Sequence, residues 1–400
     1  MYPDPNTSAT RVAHAVLADR VFDGRGWRKD VAILIADGLI RGFAAPGDVP
    51  ADCPQNRLPP EVFVAPGFID LQVNGGGGVL LNDDPSAEAM RSIARAHRRF
   101  GTTACLPTLI TDTLEQTEAA IEAARCAAGR DGILGLHLEG PFISPARPGI
   151  HRPDRIMRAR DSDLDWLVDV GRAGRSLVTL APECVPAGFV RGLAMAGVRV
   201  AAGHSEATAG TIKRAIGDGL TGVTHLFNAM PPLGGRAPGI VGAAMADQRV
   251  TAGLIVDGIH VDPVAVRAAF AAKGADGIAL VSDAMPTVGE SMLTFQLMGR
   301  TITRSGGRLS GEDGTLAGAH LDMTSAVRNA ARLAGIPLDD ALRAASLTPA
   351  RLLGLQDERG ALFPGARADL VALTSELDVI ATWVDGIPHG AHDPQEQTRA

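Results

Sequence analysis

From residue 63 onward the chain repeats one pattern: a short run of valine, isoleucine, leucine, alanine and threonine, then a segment whose apolar residues recur at helical spacing. Such runs occupy 63–71, 102–107, 133–139, 177–181, 198–203, 222–225, 251–256 and 278–282, with predicted helices between them at 87–100, 115–128, 164–173 and 263–272. A strand, a crossover helix and a second strand lie parallel, because the crossover carries the chain back before the next strand begins. Eight such units in some 300 residues predict a (β/α)8 TIM-type barrel. A doubly wound open sheet has fewer strands and a glycine-rich phosphate fingerprint, which is not found here.

The two ends read differently. Strands are predicted at 11–17, 21–22, 31–36 and 39–43, the last after the hairpin signal Asp37-Gly38, followed by a proline-spaced linker at 48–60. Strand character returns at 360–386. The expectation is an α/β chain in which 1–62 and 360–390 pair into a small β-sandwich domain, 63–359 forms the barrel, and the polar 391–400 is a frayed tail. After the eighth run, 292–318 reads as a hairpin insertion with turns at Gly306-Gly307 and Gly311, and helices resume at 322–333 and 338–353.

Composition narrows the function. A net charge of −7 offers no general attraction for nucleic acid, so an anionic ligand needs a local basic site. No apolar run approaches the ~18 residues of a membrane span. The opening MYPDPNTSAT has neither the basic region nor the apolar core of a signal peptide. Cys53, Cys105, Cys126 and Cys184 lack ligand spacing, which fits reduced thiols in a cytoplasmic protein. Aromatic residues are only 4% of the chain, too few for a lectin that stacks sugars on rings.

Barrel enzymes assemble their sites at the carboxyl ends of the strands. Reading those ends together gives Asp70, Gln72 and Asn74 from the first, Glu139 from the third, His204 from the fifth, His225 from the sixth, His260 from the turn after the seventh and Asp283 from the eighth. One carboxylate and two imidazoles, Glu139, His204 and His225, form with a water the donor set of a catalytic zinc site. Taken singly, each histidine could be a satisfied core residue and Glu139 the partner of an arginine. Asp283 would serve as general base, taking a proton from water and returning it to a leaving amine, or it would cap a following helix. His260 would stabilise a developing oxyanion, or would merely precede the helix that begins near Asp262.

Six segments carry a resemblance: PGFIDLQVNG at 66–75, HLEGPF at 137–142, GHS at 203–205, THLFNAMPPLGGRAPG at 224–239, DGIH at 257–260 and SDAMPTVG at 282–289. With the closing PGARADLVAL at 364–373, they resemble the amidohydrolase superfamily and, within it, the N-acetylglucosamine-6-phosphate deacetylases. The resemblance implies metal-dependent removal of acetate from an N-acetylhexosamine 6-phosphate by a homodimer. Many superfamily members carry His-x-His at the end of strand one, where this chain has Gln72-Val73-Asn74. Since an amide binds zinc poorly compared with imidazole, one divalent ion is expected, zinc ahead of iron, cobalt or manganese, with Gln72 orienting water or substrate.

The same resemblance implies that Asn228, the backbone of Ala229, and Arg236 bind phosphate, Arg236 from the neighbouring subunit, and that His260 contacts substrate. The family's lysine-glycine-alanine-histidine run is replaced here by Arg147-Pro148-Gly149-Ile150-His151, so His151 is a further substrate candidate and the sugar epimer stays open between glucosamine and galactosamine. A cyclic-amide hydrolase would be expected to have His-x-His and a bridging lysine, but Lys213 and Lys273 lie in predicted helices. A barrel that had lost its metal would be expected to lack a ligand or the base, and this chain retains all of them.

Overall fold

The computed structural model describes residues 13–390; the polar tail at 391–400 and the start of the run predicted at 11–17 lie outside the described residues. Eight strands pair in parallel and in chain order: β1 (Phe68–Val73), β2 (Thr102–Ile110), β3 (His137–Glu139), β4 (Leu177–Leu180), β5 (Arg199–Ala202), β6 (Gly222–Val223), β7 (Thr251–Leu254) and β8 (Ile278–Leu280). Every residue of β1 and β2 is buried, as a parallel sheet covered by helices requires. The ring closes just beyond β8, where the Asp283 N–H donates to the Gln72 carbonyl at 3.0 Å and Ala284 pairs with Val73. The structure is thus a TIM-type barrel with a separate sheet at the chain ends.

Helices cover the barrel through ordinary local chemistry. Ala87–Arg98 starts where the Ser86 hydroxyl accepts from the Ala89 N–H, and it buries Met90, Ile93, Ala94 and His97 at three- and four-residue spacing. Each large apolar side chain buried this way contributes about 1.5–3 kcal/mol. The run predicted as one helix at 338–353 is two, Leu338–Ala345 and Leu347–Leu353, broken at Ser346, whose hydroxyl donates back to the Leu342 carbonyl. The helix predicted at 164–173 is α-helical only at Asp163–Leu167. It tightens to a 3-10 turn over Val168–Arg172, where two valines and Gly171 are poor helix formers.

The end strands form one hydrogen-bonded sheet in the order Ile387–Gly390, Val379–Val384, Leu370–Leu373, Phe63–Pro66, His14–Phe22, Trp27–Ala36 and Leu39–Ala44, with Gln55–Arg57 beside His14–Phe22. Two predicted runs are therefore the single strand His14–Phe22. Its residues alternate, Val16 and Ala18 packing with Trp383 and Leu370, and Ala15 and Leu17 with Val49 and Cys53. The run predicted as one strand at 63–71 is divided: Phe63–Pro66 belongs to the end sheet and β1 to the barrel. The chain changes sheets at Gly67, where a Cβ would lie 2.2 Å from the Thr103 side chain.

The insertion after β8 has three strands, Thr294–Leu297, Arg300–Ser305 and Arg308–Ser310. Its first turn, at Met298-Gly299, was not foreseen; both residues are left-handed, and methionine gives no turn signal. The insertion seats Leu297, Ile302 and Leu309 against Leu80, Ile110, Ile150 and Met285 above the strand ends.

Candidate active site

His204, His225 and Asp283, like the cavity residue Ala229, have a backbone conformation that L-residues avoid. The first three have φ of 48°, 32° and 51°, at a cost of about 1–2 kcal/mol each. Each turn is held by hydrogen bonds at both flanks: the His204 carbonyl accepts from Ser144 N, the His225 carbonyl from Asn228 N, and the Asp283 carbonyl from Ala319 N, at 2.8–2.9 Å. One layer deeper, His137 meets the Thr179 hydroxyl at 2.8 Å, and Thr179 meets the Thr224 hydroxyl at 2.5 Å. This chain ties β3, β4 and the end of β6 together beneath Glu139 and His225. Burial pushes the His137 imidazole down to about 4, so it is neutral.

Above it, Glu139 Oε1 lies 3.0 Å from His204 Nε2 and 2.9 Å from His225 Nε2, and the two imidazole nitrogens are 3.0 Å apart. All three side chains are buried. The His204 Nδ1–H donates to the Arg147 carbonyl at 2.8 Å, so Nε2 is the ring atom that faces the carboxylate and the second imidazole. Acceptor atoms converging so closely are stable around a cation, and the triangle is small enough for one ion at about 2.0–2.1 Å to touch all three. Burial alone would raise Glu139, but the facing imidazoles hold it well below the usual carboxylate range. A donor atom of His151 stands within 4.8 Å of those of Glu139 and His204, a looser set than the triangle. His151 Nδ1 meets the Thr111 hydroxyl at 2.7 Å, and that hydroxyl donates to the Glu139 carbonyl at 3.2 Å. Burial first, then the neighbouring His204, push the His151 imidazole down to about 3.

The Gln72 amide joins the two carboxylates of the site. Its Nε2 donates to Glu139 Oε2 at 3.0 Å and to Asp283 Oδ1 at 3.1 Å, while Asn74 Nδ2 donates to the same Asp283 oxygen at 2.7 Å. Burial, and then the charge of Glu139, raise the Asp283 carboxyl to about 6. Among the described residues no helix begins at Asp283 and Glu139 pairs with no arginine, so neither bland alternative describes them.

Asn74, Glu139, His204, His225 and Asp283 open into a cavity of about 380 Å³ that His151, Asn228, Ala229 and His260 also line, while Gln72 lies outside its lining. His260 Nδ1–H donates to Asp257 Oδ2 at 2.6 Å, and Asp257 Oδ1 accepts the backbone N–H groups of Ile259 and His260 at 2.8 Å. Burial would raise Asp257, but the His260 contacts and these amides hold it low. Asn228 donates to the His225 and Leu226 carbonyls. Arg236 is the one candidate the fold does not bring in: it is exposed, outside the lining, and makes no hydrogen bond or ion pair among the described residues.

Residues 63–388 match the amidohydrolase family. The chain is 39% identical, over 96% of both sequences, to an N-acetylgalactosamine-6-phosphate deacetylase of Shewanella sp. (strain ANA-3). It is 37% identical to an N-acetylglucosamine-6-phosphate deacetylase of Haemophilus influenzae, over 80% of this chain and 84% of that one. The chain belongs to the amidohydrolase family. Among solved structures, an N-acetylglucosamine-6-phosphate deacetylase from Pasteurella multocida superposes with a TM-score of 0.91 at 32% identity, covering 94% of this chain and 99% of that one.

Two residues of this amidohydrolase site escaped the sequence reading, and the role of a third, Asp70, was not given. Asp257 and Thr111 orient His260 and His151; the Asp-Gly turn three residues before His260 was the available signal for the former. Asp70, fully buried, accepts the Gln72 and Ser282 N–H groups through Oδ1 at 3.2 Å, stitching β1 to the segment that carries Asp283. Burial raises its carboxyl to about 7, and its Oδ2 has no partner among the described residues.

Proposed function

We propose that the protein hydrolyses the acetamide of N-acetylglucosamine 6-phosphate, releasing acetate and glucosamine 6-phosphate. The observation that carries this reading is the arrangement of Glu139, His204 and His225 against Asp283 across one shared amide, beside a cavity of about 380 Å³. A divalent ion, zinc ahead of iron, cobalt or manganese, would be held by Glu139, His204 and His225 and would supply Lewis-acid polarisation of the carbonyl and of water. Asp283 takes the proton of the water that attacks the acetamide carbonyl. His260, held by Asp257 through Nδ1, turns its other ring edge to the carbonyl oxygen and stabilises the charge that grows there. When the C–N bond breaks, Asp283 returns the proton to the departing nitrogen, and acetate leaves.

Gln72 and Asn74 hold the reactive Asp283 oxygen in place, and His151 presents its free nitrogen to the sugar. The phosphate would be met by Asn228, the backbone of Ala229, and Arg236 reaching in from a partner subunit, a role its exposure in the single chain supports. Among the described residues no helix is long and apolar enough to cross a membrane. With four free cysteines, a cytoplasmic homodimer is the assembly we propose.

The galactosamine epimer is a second reading, favoured by the broader match to the Shewanella enzyme. Acetate release from N-acetylglucosamine 6-phosphate, its galactosamine epimer and the unphosphorylated sugar decides between them. Release from a phosphorylated sugar, abolished in Asp283→Asn, is the expected result. Metal-loaded protein that releases none from any of the three refutes the substrate class.

A further inference from the structure

Among the described residues that line the cavity, Arg147 is the only lysine or arginine, and it shares the lining with the carboxylates of Glu139 and Asp283. A cavity that admits a phosphate dianion needs a cation to offset its desolvation, and Arg236 lies outside this chain's own lining. We propose that Arg147 recognises the substrate phosphate within its own subunit, an assignment that rests on the phosphorylated-sugar reading above.

Geometry favours this role over that of a surface ion pair. The Arg147 backbone is fixed, its N–H donating to the Ser144 carbonyl at 2.9 Å and its carbonyl holding His204. Its guanidinium is tied by one edge only, Nε donating to Glu206; the two terminal nitrogens have no hydrogen-bond partner among the described residues. Glu206 is itself anchored, since its N–H and the Ser205 hydroxyl both donate to the Glu183 carboxylate, at 2.6 and 2.8 Å. The Ser205 N–H donates to the Ala229 carbonyl at 3.3 Å, so a short run of bonds links the Arg147 guanidinium to the Asn228-Ala229 turn. An arginine with a fixed backbone, in the same cavity lining as that turn and with its terminal fork unpaired among the described residues, suits bidentate binding of a phosphate. Because its carbonyl also orients His204, the residue sets the distance between the phosphate and the reacting amide.

The test compares three metal-loaded variants: Arg147→Gln, Arg147→Lys, and Glu206→Gln, which breaks the same ion pair but keeps the cation. Arg147→Gln raises KM for the phosphorylated sugar by about 10- to 100-fold, the weight of one or two charge-assisted hydrogen bonds, with a much smaller change in kcat. Its inhibition by inorganic phosphate weakens in parallel. Arg147→Lys recovers part of the loss, and Glu206→Gln does not raise KM. If Arg147→Gln and Glu206→Gln raise KM alike, for phosphorylated and unphosphorylated sugar equally, Arg147 only pins its loop and the proposal is overturned. A native enzyme inactive on every phosphorylated sugar refutes the underlying substrate reading instead.

Discussion

Replacing Asn74 with leucine should move the acid limb of the pH–rate profile. Asn74 is buried, and its side chain makes one hydrogen bond, to the Asp283 oxygen at 2.7 Å; its own Oδ1 has no partner among the described residues. The substitution therefore removes little except a donor to Asp283. A hydrogen bond to a charged group is worth about 1.5–3 kcal/mol and one to a neutral group about 0.5–1.5, so the ionised form loses roughly 1–1.5 kcal/mol more than the protonated form. At about 1.4 kcal/mol per unit, the Asp283 carboxyl rises by about one unit from its value of about 6. Because the base must be ionised, kcat/KM should drop about fivefold at pH 6 but by less than about 1.2-fold at pH 8. Acetate release by metal-loaded enzyme between pH 5 and 9 reads this directly. An equal loss at both pH values, or an acid limb displaced downward, would show that Asn74 does not act through the ionisation of Asp283.

Three other outcomes follow from the same contacts. His225→Ala should lose its metal on dialysis while His151→Ala retains it, by elemental analysis; the reverse pattern would give His151 the ligand position. Gly149→Ala should weaken metal retention and lower the thermal midpoint by the equivalent of about 1–2 kcal/mol, because Gly149 has φ of 55° and an added Cβ would lie 3.2 Å from His204 Cε1; a variant indistinguishable from native would count against the loop as a support of that ring. Asp70→Asn should flatten the pH dependence of stability. The folded carboxyl titrates at about 7 against 3.8 unfolded, so the folded state holds one more proton in between and native stability falls as pH rises through that window, by at most about 1.4 kcal/mol per unit. Urea midpoints of native and variant that run parallel from pH 5 to 7.5 would refute this.

The barrel was legible because most of its strands are buried on both faces and so read as apolar runs, and because Glu139, His204, His225 and Asp283 each stand where such a run stops. What local sequence hides is the choice of partner. At Pro66-Gly67 the flanking residues are equally apolar, and the backbone partners on either side of the change, Asp369 for Gly67 and Gly101 for Phe68, are distant in the chain. The carbonyl that orients His204 comes from Arg147, and a backbone acceptor leaves no mark on residue identity. The left-handed turns at His204, His225 and Asp283 were equally invisible, since ordinary residues there are held by the surrounding hydrogen bonds. For Asp283, spacing named the residue, but its raised pKa depends first on burial and then on Glu139, which a strand from elsewhere in the barrel carries to it.

The end sheet also imposes an order of events on synthesis. Phe63–Pro66 lies between His14–Phe22 and Leu370–Leu373, and β1 follows it after one residue. The sheet that should anchor the first barrel strand therefore waits for a partner made about 300 residues later, some 15–60 s at ordinary rates of translation. Through that interval Phe63–Pro66 is an unpaired edge, with Phe63 and Val64 open to any competing strand. A ribosome that stalls between residues 280 and 370 thus releases a chain whose eight barrel strands are made but whose sheet edge is still uncovered and open to pairing with another copy.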